Sequence, residues 1–219
     1  MARPRKSDHT KQLLLTTGSQ MLTEHGYHGT GIKQVLDAVG VPKGSFYNFF
    51  PSKEAYVASI IYHYGEQVAE EFNAATAGLD GEPALVLLWC SFRNKVRNKL
   101  ASGDSCACLL GAMSAEIGQA SRLSREAITT VEARWVQSLA DLIREAQLQG
   151  DLRDDLSAAE IAPVLYNCWQ GNLLQYQITD DAALLLAQLN TFIQTLLTTQ
   201  GRHTLSHSTI SQEDINHAR

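Results

Sequence analysis

Apolar residues in this chain recur every three or four positions almost throughout and scarcely ever alternate. That spacing lines one face of a helix, whereas alternation would build a half-buried strand. The pattern predicts an all-α protein of about nine helices. The first, about residues 8–25, packs Leu14, Met21 and Leu22 and stops at Gly26, a natural C-cap. Thr30 can N-cap a second helix with Ile32, Val35, Leu36 and Val39 on its apolar face. Gly40 then supplies a turn and Pro42 a start for a third helix over about 42–50, which Pro51 ends. Ser52 caps a fourth, with Tyr56, Ile60, Tyr64, Val68 and Phe72 four residues apart. After a loop marked by Gly78, Gly81 and Pro83, the remaining helices fall at Leu85–Leu100, about 105–118, about 121–149, about 157–177 and about 181–198. Residues 200–219 are polar with no usable apolar face, and predict a flexible tail.

Two short helical patterns flanking Gly40 make a helix-turn-helix, with Lys43, Gly44 and Ser45 opening its second helix. Net charge sharpens that reading. The chain carries 18 Lys and Arg against 23 Asp and Glu, a balance of −5. Residues 1–60 hold seven basic side chains and four acidic ones, so +3, which leaves −8 for the rest. A basic head on an acidic body fits DNA binding confined to one end. The longest unbroken apolar run, Ala84–Cys90, is far short of the roughly 20 residues a membrane helix needs. No apolar stretch follows the basic residues near the start, so a cytoplasmic location is expected. The four cysteines are then expected as thiols, and no spacing of Cys or His suits zinc, so no cofactor is expected.

The expected division is a DNA-binding head at 1–52, a sensing and dimerising body at 53–199, and the tail. In the head, small residues at Gly44 and Ser45 let the recognition helix approach a groove. Lys43 can reach a phosphate or a guanine edge, and Tyr47 and Asn48 lie one turn on. Phe46 and Phe49 are expected to anchor the helix. Thr30 and Lys53, each near a helix N-terminus, are set for phosphate, and Arg3-Pro4-Arg5-Lys6 can act as an arm reaching a minor groove. One such helix reads only a few base pairs. A homodimer on a palindromic double-stranded operator is therefore expected, with half-sites about 34–36 Å apart or a multiple of that.

The stretch T-G-I-K-Q-V-L-D-A-V-G-V-P-K-G-S-F-Y-N-F-F-P-S-K-E at 30–54 resembles the DNA-binding signature of the TetR family of one-component repressors. The resemblance implies that Tyr47 contacts phosphate or a thymine methyl and that Asn48 stands where histidine is more usual. It also implies that the last two helices, rich in leucine at Leu184, Leu185, Leu186 and Leu189, form a four-helix dimer interface. Cys108-Leu109-Leu110-Gly111-Ala112-Met113-Ser114-Ala115-Glu116 is similar to the G-C-L…S-A-E segment of the branch that includes the N-ethylmaleimide reductase repressor and acrylate-responsive repressors. Trp169-x-Gly171 also aligns with that branch, while Ala107 stands in place of the motif's glycine. That likeness implies Cys108 as an electrophile sensor with Cys106 close by, and a helix N-terminus there would favour thiolate.

A reversible effector is the other route to a switch. Tyr64, Trp89, Arg93, Trp135, Tyr166, Trp169 and Asn172 can line a pocket, with Arg93 offering a partner for a carboxylate. The chain is expected to be a repressor and not an enzyme. The contrasting classes are a thiol enzyme using Cys108 with a histidine base, and a small-molecule-binding helical protein without DNA function. His203 and His207 form an i,i+4 pair expected to face solvent.

Overall fold

The computed structural model describes residues 6–102 and 108–208 of the 219. Among these residues there are ten helices and no strand: α1 (Lys6–Gly29), α2 (Ile32–Val39), α3 (Lys43–Phe46), α4 (Lys53–Thr76), α5 (Ala84–Ser102), α6 (Leu109–Ala120), α7 (Arg122–Leu148), α8 (Ala158–Thr179), α9 (Ala182–Leu196) and α10 (Thr199–His207). No described helix is long and apolar enough to cross a membrane. The chain divides into two compact units. The first is built from the described part of Met1–Val68 and from Cys108–Glu132; the second from the described parts of Ala69–Ala107 and Ala133–Arg219. The first unit takes in the start of α4, all of α6 and the start of α7.

In the first unit α1 packs against α2 and α6. Its apolar stripe buries Leu14, Leu15 and Leu22, and Gly18 lets α4 come close enough for the Tyr56 hydroxyl to donate to the Leu14 carbonyl oxygen at 2.6 Å. Burial pushes the Tyr56 phenol well above its ordinary pKa, which keeps it a donor. The regular winding of α1 breaks at Gly26 (φ 71°, ψ −179°), a conformation that favours glycine, and a last turn runs to Gly29. The α2 N-cap is Gly31 rather than Thr30. Gln34 reaches back to accept from the Gly31 N–H at 2.7 Å, while the Thr30 hydroxyl is buried and donates to the Met21 carbonyl oxygen at 3.1 Å.

The second unit holds the latter parts of α4 and α7 with α5, α8, α9 and α10; α8 packs on α9 and α5 on α10. Its core includes Leu85, Leu88, Ile143, Leu165, Leu173, Leu189 and Ile193. Ser157 and Glu160 form a capping box that starts α8, and Asp181 caps α9. The expected tail begins instead as α10. Thr198 caps it and donates to the Gly150 carbonyl oxygen at 2.7 Å, and the Thr204 hydroxyl donates to the buried Asp151 carboxylate at 2.7 Å. Residues 209–219 lie outside the described part.

Candidate nucleic-acid interface and effector site

The second helix of the helix-turn-helix, α3, is set by what lies on either side of it. Gly40 closes α2 in the left-handed region (φ 67°), and the Val41 N–H returns to the Leu36 carbonyl oxygen at 3.0 Å. Pro42 is the N-cap of α3, and regular helix lasts only to Phe46. Tighter bonds then carry the winding on, from the Asn48 N–H to Ser45 and from the Phe49 N–H to Phe46. One side is locked into an aromatic cluster: Phe46 and Phe50 are buried, with ring centres 5.2 Å and 4.7 Å from Tyr56. Phe50, not Phe49, is thus the second anchor: its N–H bonds to the Phe46 carbonyl oxygen at 3.0 Å, an α-type step that sets it one turn beyond Phe46, while Phe49 is only half-buried.

The opposite side faces outward. Lys43, Gly44 and Asn48 are exposed, Tyr47 is 55% exposed, and Ser45 is half-buried. Gly44 is the informative position. A Cβ there would meet nothing within 4 Å, so no packing in the chain requires a glycine. Two expected phosphate contacts sit differently. Thr30 is turned into the protein, as described. Lys53 is half-buried, its Nζ 4.3 Å from the centre of the Tyr27 ring and donating to the Tyr27 carbonyl oxygen at 3.4 Å. Arg3, Pro4 and Arg5 lie outside the described residues, as does the side chain of Lys6.

The expected sensor residues separate between the units. Cys108 and Tyr64 belong to the first. Cys108 is only 5% exposed and is the N-cap of α6, with no hydrogen bond from its side chain into the first turn. Tyr64 is half-buried, and Cys106 lies outside the described residues. The others gather in the second unit. The Phe92 and Trp169 rings lie 4.9 Å apart and join α5 to α8; Trp135 and Tyr166, 6.3 Å apart, join α7 to α8. Phe92, which was not among the expected pocket residues, belongs to this cluster. Arg93 bonds along its own helix, to Asn94 Oδ1 at 3.2 Å and Cys90 Sγ at 3.8 Å. Asn172 donates to Cys168 Sγ at 3.8 Å. Burial raises the Cys168 pKa in spite of that bond, so the thiol stays protonated at neutral pH. Trp89 is 3% exposed, and its indole N–H finds no acceptor among the described residues. His203 and His207 are exposed and stacked, 3.9 Å between ring centres. The described residues include no group of three or more His, Cys, Asp or Glu able to hold a metal ion.

A helix-turn-helix with one anchored and one open face, on an otherwise helical chain, defines a DNA-binding regulator, and comparison with known proteins agrees. Residues 14–64 match the family described as bacterial regulatory proteins, tetR family, and residues 83–192 match the tetracyclin repressor-like C-terminal domain. The chain belongs to the TetR family of transcriptional regulators. It is 32% identical to the transcriptional regulator AcuR of Cereibacter sphaeroides over 168 residues, 76% of each chain. It is 29% identical to the HTH-type transcriptional repressor DhaR of Mycobacterium sp. (strain GP1) over 168 residues, 77% of this chain and 82% of that one. The crystal structure of the reduced form of Escherichia coli NemR superposes with a TM-score of 0.72 at 26% identity, covering 87% of this chain and 98% of that one.

Proposed function

We propose that the chain is a cytoplasmic, homodimeric repressor that grips a palindromic operator through α3 and lets go when a small molecule occupies its body. The carrying observation is the outer face of α3. Phe46 and Phe50 fix the helix, while the side chains of Lys43, Tyr47 and Asn48 are exposed and Gly44 has open space beside it. A glycine that costs the helix about 1 kcal/mol relative to alanine, with empty space beside it, suits a site where something outside the chain approaches closely. Phosphates and base edges fit the residue types. The chain acts by binding, as its relatives named as repressors do, and not by turnover.

Dimerisation is supported on α8. Val164, Asn167, Gly171, Leu174 and Ile178 follow one another at three- and four-residue steps, all exposed, with Ile178 87% exposed. Gly171 repeats the logic of Gly44: mid-helix, with nothing within 4 Å of where its Cβ would stand. A second copy laid along this stripe would bury the apolar side chains and use the small residue.

For the effector, a reversible ligand is favoured over attack at Cys108. A thiol at 5% exposure is poorly placed to meet an electrophile, whereas the Trp89 N–H, on the same helix as Phe92 and three residues before it, gives an apolar ligand one donor to find. The test uses duplex DNA from immediately upstream of the coding sequence. Wild type should bind it with a steep loss of affinity as salt rises, and Cys108→Ser should behave alike with and without N-ethylmaleimide. Salt-insensitive or absent binding would remove the DNA reading. Release of wild type alone by the reagent would move the sensor to Cys108.

A further inference from the structure

Between Gly26, where α1 loses its regular winding, and Ile32, where α2 begins, a short connector decides where the reading element starts. Its polar groups are tied down one by one. The Tyr27 carbonyl oxygen accepts from Lys53 Nζ, the Thr30 hydroxyl donates back to Met21, and the Gly31 N–H donates to Gln34 Oε1. The remaining tie comes from far along the chain. The His28 backbone N–H donates to Glu116 Oε2 on α6, 88 positions away, at 3.0 Å. Glu116 is the one charged residue of α6. Gly26 serves the same contact twice. Its positive φ turns the connector toward α6, and a Cβ on it would sit well inside contact distance of Glu116 Oε1.

We infer that Glu116 is a positioning residue for DNA binding: its carboxylate, carried by α6, latches the His28 amide and so holds the connector from which α2 and α3 run. The α6 helix itself offers no side chain to DNA in this role. It acts through the backbone of the head, where one charge-assisted hydrogen bond fixes a segment that is otherwise a glycine-relieved break. Recognition by so short a helix depends on register, because its phosphate contacts fix where the base-reading side chains fall. A connector that is free to shift spoils that register without unfolding anything.

This inference rests on the DNA-binding reading, and its test separates the two. Wild type, Glu116→Ala and Glu116→Gln are compared as full chains for binding to the same upstream duplex, for melting temperature, and for hydrogen exchange at the His28 amide. Glutamine keeps an acceptor oxygen of similar reach, whereas alanine removes it. Glu116→Ala should weaken DNA binding by about three- to tenfold and speed His28 exchange, with the melting temperature little changed, as expected for one solvent-exposed hydrogen bond of ordinary net strength. Glu116→Gln should restore affinity to within about twofold and keep most of the amide's protection. Equal binding by Glu116→Ala and wild type would overturn the latch. So would equal losses in both variants, unchanged His28 exchange, or a DNA defect that only tracks a fall in melting temperature. Failure of wild type itself to bind would instead bring down the DNA reading, and the latch with it.

Discussion

Lys43 and Gly44 are neighbours on the outer face of α3, and substitution separates what each contributes. A lysine held to a phosphate releases counterions on binding, so Lys43→Ala should lower the slope of log affinity against log salt by about 0.9. If Lys43 reads a base instead, the slope would hold and discrimination between operators would fall. Gly44→Leu should leave the melting temperature equal or slightly higher, since open space surrounds the position and leucine is the better helix former, yet abolish operator binding. Unimpaired binding by that variant would mean that nothing approaches α3 there. These outward residues were legible in the sequence because Gly40 and Pro42 frame the helix and fix which positions can point away. Thr30 and Phe50 were not. A threonine ahead of an apolar run looks like a cap, and only the fold shows its hydroxyl turned to Met21 with Gly31 taking the capping position. Phe49 and Phe50 stand three and four places after Phe46, so helical spacing allows either as its partner, and only the fold shows that Phe50 is the buried one.

Along whole elements, periodicity located nine helices and missed α10 for a definite reason. T-Q-G-R-H-T-L-S-H offers little apolar surface, with Leu205 the one large buried side chain, so nothing in it repeats at helical spacing. Its hold is polar and tertiary. A Cβ on Gly201 would collide with the Asp151 carbonyl oxygen, and Thr198 and Thr204 bond to the same corner. Gly201→Ala should therefore destabilise the protein by about 1–3 kcal/mol in urea or thermal unfolding; a wild-type midpoint would show that α10 is not seated there. The contact of α4 with α5 has a pH signature. Burial would raise the pKa of Glu71, but Lys95 and Lys99, at 3.2 Å and 2.9 Å, outweigh it and leave the pKa lowered. A carboxylate lowered on folding contributes its stability above the unfolded pKa, near 4.3, and loses it as pH falls through the folded value. Glu71→Gln should accordingly cost about 1 kcal/mol or less at pH 7, and the cost should shrink as acid pH protonates the wild-type carboxylate. A gap in melting temperature that does not narrow as pH falls would assign the effect to packing.

For the molecule as a whole, the decisive question is what covers α8. A single reading helix cannot select a genomic site, so function at the level of an operator requires two heads. Leucine content pointed to dimerisation through the last two predicted helices, α8 and α9; Leu185 and Leu189 are buried inside the second unit, Leu184 and Leu186 are half-buried, and the most exposed apolar side chains of the pair lie on α8. There Val164, Leu174 and Ile178 flank Gly171, which the monomer has no use for. A dimer through this stripe makes a sharp prediction. Gly171→Arg adds bulk and charge where the chain itself has room, so the isolated fold should tolerate it, with helix content kept. Light scattering should nonetheless report the mass of one chain where wild type shows two, and affinity for a palindromic duplex should collapse toward that for a single half-site. Gly171→Ala separates space from conformation: it should strengthen the helix while adding only a methyl group, and leave association weakened far less than arginine does. A Gly171→Arg protein that stays dimeric with wild-type affinity would place the two-fold contact on another face and leave the glycine of α8 needing a different partner.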